Sequence, residues 1–418
     1  MNALNTGLHD FRAARGLKPA AGEDPGASEG ELAGADIKHR AELVAGVASN
    51  TAADVDRDAR FPCEALAAAR AQRLLGIMVP RDLGGEGASL SEVLDVCYAL
   101  GRACASTAMI YAMHQTKISL VVRHGLHSPW HRRLLRRLCS DQLLLASSTT
   151  EGQGGGDVRR SAGAVEANDG RIALTRQATV ISYGEHADGI VTTARRSPDA
   201  APSDQVLIVF LKEDYNLDRI VGWDALGMRG TCSSGFTLRA AGEAGQILPQ
   251  PYERMHTQTM LPVAHLTWSS VWAGISAGAV ERARLFIRNA ARTSGGQLPP
   301  GAAHLTRANG SLRTLRALVT SAAQRFEARS GDEKALESVE FQTAMNLLKV
   351  NASELAIATV MGALQASGLA GYRNDTEFSI GRSLRDILSA PIMINNDRIL
   401  ANVASSSILT QVPSSLSN

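Results

Sequence analysis

The sequence predicts an α+β chain in three parts. An all-α N-terminal domain covers residues 38–141, a small, mostly antiparallel β-domain covers 142–245, and a C-terminal four-helix bundle covers 246–418; residues 1–37 form a loose arm. Three observations carry this. Apolar residues recur at helical spacing before about Asp141, switch to short runs rich in Val, Ile, Leu and Thr, and return to helical spacing from about Leu261. A glycine-rich turn, Glu151-Gly152-Gln153-Gly154-Gly155-Gly156-Asp157, lies in the middle part. At 418 residues the chain is also too long for one small core.

The arm is rich in Ala, Gly, Asp and Glu, with Pro19 and Pro25 as breakers. A helix follows from Ile37 to about Asp56. Phe61-Pro62 opens another, with Pro in the first turn where a missing N–H costs nothing; Gly76 ends it. A loop with Gly84, Gly85 and Gly87 leads to Ser89 or Ser91, either of which caps an amphipathic helix. The segment after Ser106 is nearly all apolar and reads as a buried helix carrying His114 and Gln115. Trp130 to Cys139 is a further helix. Strands are expected around Leu143–Thr149, Arg171–Ser182, Gly189–Arg196, Gln205–Glu213 and Gly235–Ala241. The loop Trp223–Thr231 joins two of them. The bundle opens with a long helix from Leu261, in which Gly274 and Gly278 allow close approach of another helix. Helices follow over about 303–329, from Asp332 as N-cap to Ala366, over about 377–390, and from Asn396 to about Thr410.

Bulk properties exclude several classes. A net charge of +2 and 4% aromatic residues argue against a nucleic-acid surface; Arg132, Arg133, Arg136 and Arg137 fit one solvated helix face. Cys63, Cys97, Cys104, Cys139 and Cys232 are odd in number, widely spaced and lack a C-x-x-C pair. They fit reduced thiols in a cytoplasm, with no metal site. No uninterrupted apolar run long enough for a membrane span is found, and the N-terminus lacks a secretory pattern.

The glycine turn is the strongest local signal. Its glycines let backbone N–H groups approach an anion such as a pyrophosphate, although the same turn alone also reads as a hairpin tip. It matches neither a Rossmann nor a Walker turn, because no Gly-Lys-Ser/Thr and no long helix follow.

Six motifs in order carry a resemblance. They are Phe61-Pro62 with Gly76, Pro80 and Gly84-Gly85-x-Gly87; Thr150-Glu151 with Gly155 to Asp157; Ile181-Ser182; Leu226-Gly227-Met228-Arg229-Gly230-Thr231; Lys349 and Gln365 with Gly368 and Gly371-Tyr372; and Arg385-Asp386. In this order, from about residue 40 to 410, they resemble the acyl-CoA dehydrogenase flavoprotein family, including its related flavin monooxygenases.

The resemblance implies FAD, bound between the β-domain and the bundle, and a homotetramer or dimer. It places Thr149, Thr150, Gly155, Gly156, Val180, Ile181, Ser182, Arg292, Gln365, Gly368, Asn395 and Asn396 at the cofactor. Ser182 would face the flavin N5 edge; Arg292, Gln365 and Gly368 would reach the flavin of a neighbouring subunit. Val180 stands where the family has a flavin-stacking Trp, and Gly156 where it has Ser.

The family's dehydrogenases also need a carboxylate base for the α-proton of an acyl thioester. Its two known positions hold Ile394 and Ala264. Substitutes are Asp397, His265 and His114. Asp397 also reads as a helix N-cap shared with Asn396, His265 as a bundle-interface residue, and a His at His114 does not discriminate within the family. The leading expectation is α,β-dehydrogenation of a CoA or carrier-protein thioester with a displaced base and an unspecified electron acceptor. The alternatives are a flavin monooxygenase using reduced flavin and O2, and a non-catalytic partner subunit on the same fold.

Overall fold

The structure, a computed structural model, describes residues 36–151, 158–408 and 414–415. Among the described residues, five helices come first: α1 (Ile37–Arg57), α2 (Cys63–Ala71), α3 (Leu90–Ala103), α4 (Ala105–Gly125) and α5 (Pro129–Asp141). The Asp36 carboxylate caps α1, and Ser89 with Glu92 forms a reciprocal capping box on α3. Helix α2 stops four residues before Leu75; the chain then turns through Arg73, whose φ is positive. Helix α4 is buried on nearly every face, so its apolar surround makes it the central post of this region.

Seven strands follow among the described residues: β1 (Leu145–Ser148), β2 (Glu166–Asn168), β3 (Arg171–Ile181), β4 (Gly189–Arg195), β5 (Gln205–Leu211), β6 (Tyr215–Val221) and β7 (Ser234–Glu243). They form two sheets, β1-β4-β5 and β2-β3-β7-β6. All pairings are antiparallel except β1 with β4, where Leu145 pairs in parallel with Gly189. Side chains of β3 alternate strictly between solvent and core until the β3–β7 register shifts between Ala178 and Ile181. A bulge of this kind re-aims the strand end.

The remainder is helical: α6 (Tyr252–Met255), a π-turn (His256–Met260), α7 (Leu261–Thr293), α8 (Ala302–Arg329), α9 (Glu333–Glu337), α10 (Val339–Tyr372), α11 (Gly381–Ile387) and α12 (Asn396–Ser407). Helices α7, α8 and α10 pack along their lengths, and α12 closes the group against α10 through Val350, Ile399 and Val403. The glycines of α7 let α3 approach closely. A Cβ on Gly274 would lie 2.4 Å from Tyr98 O, and one on Gly278 would lie 2.8 Å from Arg102 O.

Several boundaries differ from expectation. The single helix expected over Asp332–Ala366 is two, because Ser338 leaves helical geometry and caps α10 through Phe341 N–H. Gly368, at φ 54° and ψ −135°, interrupts α10 near its end. The segment expected over 377–390 is helical only at Gly381–Ile387, and the N-cap of α12 is Asn395, one residue before Asn396. By length and mean hydropathy alone α10 would qualify as a membrane span, contrary to the sequence reading; 56% of its most apolar stretch is buried inside the protein. Its Leu, Ile, Val, Met and Ala content raises the mean hydropathy, while interspersed Gly, Ser, Thr, Asn and Glu leave no uninterrupted apolar run.

Candidate functional site

A cavity of about 810 Å³ lies between the β-sheets and the helices that follow them. Its size suits a small organic ligand. One wall is the π-turn with the start of α7, carrying His256, Met260, Ala264, His265 and Trp268. A second is the start of α10, a third is the segment from Ile394 through α12, and the β-side is closed by Val158, Arg159, Ser203 and Gln205. Val158 directly follows the glycine turn, so the chain leaving that turn reaches this cavity. Gly155 and Gly156 themselves lie outside the described residues.

The two positions expected for a catalytic carboxylate, 130 residues apart in sequence, line this one cavity as Ala264 and Ile394. Ile394 has φ 49°, a left-handed conformation that a β-branched side chain rarely tolerates. The strain sits at the cavity rim, where such outliers tend to accompany function. The carboxylates among the described lining residues are Glu253 and Glu337, both exposed; Glu337 accepts from Gln258 Nε2 at 2.7 Å.

The three substitute bases fare differently. His265 lines the cavity, and its Nδ1 lies 3.0 Å from Met345 O, so that nitrogen carries the proton and Nε2 is left as an acceptor. Burial pushes its pKa down to about 3, which makes it a neutral hydrogen-bonding group and a poor proton acceptor. Asp397 is exposed in the first turn of α12, its backbone N–H bound to Asn395 Oδ1, and it is absent from the cavity lining. His114 is fully buried between the N-terminal helices and β1. Its Nε2 lies 2.9 Å from Leu75 O, and its Nδ1 accepts from Leu145 N–H at 3.0 Å. Both ring nitrogens are occupied, and burial lowers its pKa to about 4. His114 therefore ties β1 to the N-terminal helices rather than facing the cavity.

The residues expected on the flavin side gather at two strand ends. Thr149 and Thr150 leave β1, Val180 and Ile181 end β3 with Ser182 just beyond, and a bridge from Glu151 to Ala178 holds the two ends side by side. Arg176 pins them. Its Nη1 donates to Ser148 O at 3.0 Å, to Thr192 Oγ1 at 3.1 Å and to Thr193, and its Nε lies 3.3 Å from Glu151 Oε1. Glu151 also accepts from the backbone N–H groups of Ala162 and Gly163. The pair is fully buried, and burial lowers the Arg176 pKa to about 10. Among the described residues, the buried Ser148 Oγ and Arg176 Nη2 have no hydrogen-bond partner. The hydroxyls, the bulged strand end and these unpaired atoms fit the polar edge of a flavin ring.

The other expected cofactor residues lie elsewhere on this chain. Arg292, Gln365 and Gly368 are exposed at the ends of α7 and α10. Asn395 caps α12. Asn396, expected at the cofactor, is buried in a polar knot: Lys349 Nζ donates to its Oδ1 at 2.6 Å, and its Nδ2 donates to Ser353 Oγ at 2.9 Å. Burial lowers the Lys349 pKa to about 8.

The motifs at 226–231 and 385–386 meet as a clasp. Arg385 pairs with Asp56 of α1, Arg229 Nε donates to Asp56 O at 2.8 Å, and Met228 N–H donates to Asp386 Oδ1 at 2.6 Å. Gly227 is required, because a Cβ there would stand 2.2 Å from Arg385 O.

Sequence reasoning passed over Arg176, Lys117 and the π-turn. Arg176 had a readable signal, since it falls on the inward phase of an alternating strand. Lys117, fully buried on α4 with Nζ 4.0 Å from Met260 Sδ, had only its place in an apolar helix. The π-turn left no sequence mark; such turns often accompany functional sites. All five cysteines are free thiols, and among the described residues no cluster of three metal-ligating side chains occurs.

Comparison with known proteins places this geometry. Residues 38–142 match the model for the acyl-CoA dehydrogenase N-terminal domain, and residues 256–408 match that for its C-terminal domain. Among curated proteins, the chain is 26% identical over 353 residues to the amino sugar nitrososynthase DnmZ of Streptomyces peucetius, covering 81% of this chain and 84% of that one. It is 24% identical over 362 residues to a probable acyl-CoA dehydrogenase, fadE25, of Mycobacterium leprae, covering 86% and 90%. Among solved structures, FMN-bound TdsC of Paenibacillus sp. A11-2, a dibenzothiophene monooxygenase, superposes with a TM-score of 0.79 at 19% identity, covering 90% of this chain and 98% of that one. A nitrososynthase from Micromonospora carbonacea var. africana superposes with a TM-score of 0.75 at 22% identity, covering 89% and 97%.

Proposed function

The chain belongs to the acyl-CoA dehydrogenase family, and on that premise we propose that it is a flavin-dependent monooxygenase, taking reduced flavin and O2 to oxidise a small polar substrate. The observation that carries this reading is the pair Ala264 and Ile394. Both positions at which the dehydrogenases keep their base line the cavity, and neither holds a carboxylate. Oxygenation needs no base for an α-carbon. The relatives that are nitrososynthases and dibenzothiophene monooxygenases lend support, as does the FMN in one structural neighbour.

A bound reduced flavin would supply the electrons that activate O2. FMN or FAD would lie along Thr149, Thr150 and Val180 to Ser182, positioned by the Glu151–Arg176 pin. His265 Nε2 would accept a hydrogen bond from a substrate N–H or O–H, and Trp268 would supply an apolar wall. A second copy of the chain would cover Leu369 and Tyr372, which are 72% and 75% exposed beside Gln365 and Gly368. The free thiols suit a reducing cytoplasm.

The second reading is the dehydrogenase with a displaced base; Glu253 and Glu337 at the rim keep it in view. The test is anaerobic mixing of flavin-loaded protein with a panel of acyl-CoAs, followed by oxygen uptake with a flavin reductase, NADH and amine or heteroaromatic substrates. Substrate-dependent transfer of 18O from 18O2 to product is expected. Flavin bleaching by an acyl-CoA, without oxygen incorporation into any substrate, would overturn the proposal.

A further inference from the structure

Lys117 lies on the side of α4 that packs against the π-turn, with 3% of its surface exposed. Among the described residues, the acceptor within reach of its Nζ is the thioether of Met260, at 4.0 Å. Tyr252 Oη donates to the same sulfur at 3.5 Å. A thioether accepts weakly, so two good donors converge on a poor partner. A purely structural side chain here would be Leu or Met. Either fills the space without burying an ammonium group that lacks a counter-ion.

Met260 and Tyr252 line the cavity, and Lys117 stands directly behind Met260. The turn that carries Met260 is held on both sides. His124 Nε2 lies 2.8 Å from Thr259 Oγ1, Gln342 Nε2 donates to Thr257 O at 2.9 Å, and Gln258 Nε2 donates to Glu337 at 2.7 Å. The Met260 side chain is half-buried and has three rotatable bonds, so it can swing while its backbone stays. An oxygen at the place of its sulfur then falls between Lys117 Nζ and Tyr252 Oη. Among the described lining residues, Arg159 and Arg398 are matched by Glu253 and Glu337. The Lys117 ammonium therefore decides which sign of charge the cavity attracts.

We propose that this point is an oxyanion subsite, where the carboxylate or phosphate of a small organic substrate displaces the Met260 thioether and is held by Lys117 and Tyr252. The inference rests on the reading above in taking the cavity for the substrate site. It narrows the small polar substrate of that reading to one with an acidic group. Binding also moves a proton. Burial alone lowers the Lys117 pKa to about 7. Tyr252 of α6, His256 of the π-turn and His124 of α4 are the titratable groups on the elements around it, and none of them contributes to that shift. An oxyanion beside the amine favours its charged form, so the site takes up a proton as it fills.

The experiment is isothermal titration calorimetry on the full chain, with and without FMN. Benzoate and phenyl phosphate are the probes, and benzamide is the neutral match of benzoate. Benzoate is expected to bind roughly tenfold or more tightly than benzamide, the worth of one charged hydrogen bond. It is also expected to take up about one proton per site at pH 8, read from the heats in buffers of different ionisation enthalpy. Tight binding of phenyl phosphate extends the class to phosphate esters, and weak binding confines it to carboxylates; the subsite stands in both cases. Lys117→Met is expected to lose both the preference and the proton uptake while binding benzamide as before. Met260→Ala, which clears the path, is expected to bind benzoate at least as tightly as wild type. Far-ultraviolet circular dichroism checks each fold. Equal affinities for benzoate and benzamide in the wild-type chain, an unchanged preference in Lys117→Met, or weaker benzoate binding by Met260→Ala would overturn the inference. So would the failure of every probe to bind. Oxygenation is read separately from 18O, so each of these results leaves the monooxygenase reading standing. A confirmed preference in a chain that never incorporates 18O would remove that reading and keep the subsite.

Discussion

Replacing Asp386 with Asn is expected to make the protein less sensitive to pH between 4 and 7. The Asp386 side chain is buried where α11 meets the 226–231 loop and accepts the Met228 N–H at 2.6 Å. Burial raises its pKa from 3.8 to about 6, and the hydrogen bond from Met228 only partly opposes this. The folded protein therefore holds this proton more tightly than the unfolded chain does. The resulting stability is fully present below the unfolded value and is lost as pH rises through about 6. A shift of roughly 2 units corresponds to about 3 kcal/mol. In Asp386→Asn the amide oxygen still accepts from Met228, and no charge forms. Urea unfolding of both proteins at several pH values from 4 to 7.5 is the assay. All other titrating groups are shared, so they largely cancel in the difference. The variant's stability relative to wild type is expected to grow by about 2 kcal/mol from pH 4 to pH 7, since part of the effect is already present at pH 4. Parallel curves, or a difference that shrinks with rising pH, would refute the reasoning.

Lys117→Met is expected to stabilise the protein at pH 7 by several kcal/mol, because burial lowers the lysine pKa from 10.5 to about 7. The sign is that of a depressed base: full stability above the unfolded pKa, lost as pH falls through the folded one. The gain should accordingly fade above pH 10 in a urea titration, and a less stable variant would contradict this account. Gly227→Ala would drive a Cβ into Arg385 O and is expected to cost about 3 kcal/mol, read as a fall in the urea midpoint. Arg176→Met strands the buried Glu151 carboxylate and is expected to cost about 3–5 kcal/mol. It should also weaken FMN and FAD binding, and unchanged flavin affinity in a folded variant would show that the pin does not organise the strand ends.

Much of the fold was readable from the periodicity of apolar residues. The strict alternation along β3 and the helical spacing through α7 and α8 follow from which side of each element must leave water. Boundaries were less legible. Ser338 interrupts a helix whose apolar spacing continues through it, because its side chain caps α10 and satisfies a backbone donor that periodicity does not count. Helix α11 is shorter than its pattern, because Leu388 to Ile394 run through successive turns against the bundle.

The site divides in the same way. Motif order pointed to Thr149, Thr150 and Ser182 as one edge, and to Ala264 and Ile394 as the empty places of a carboxylate. These are matters of residue identity and spacing, which one sequence contains. The sequence by itself determined the three-part architecture, the family and the missing base, because local periodicity and short motifs are written in contiguous residues. Only the tertiary structure decided that Ala264 and Ile394 share a cavity, that His114 has both nitrogens occupied, and that Asn396 serves Lys349. It alone brought the hydroxyls of Ser182, Ser233 and Thr231 within 3 Å of one another, since such contacts join segments far apart in the chain.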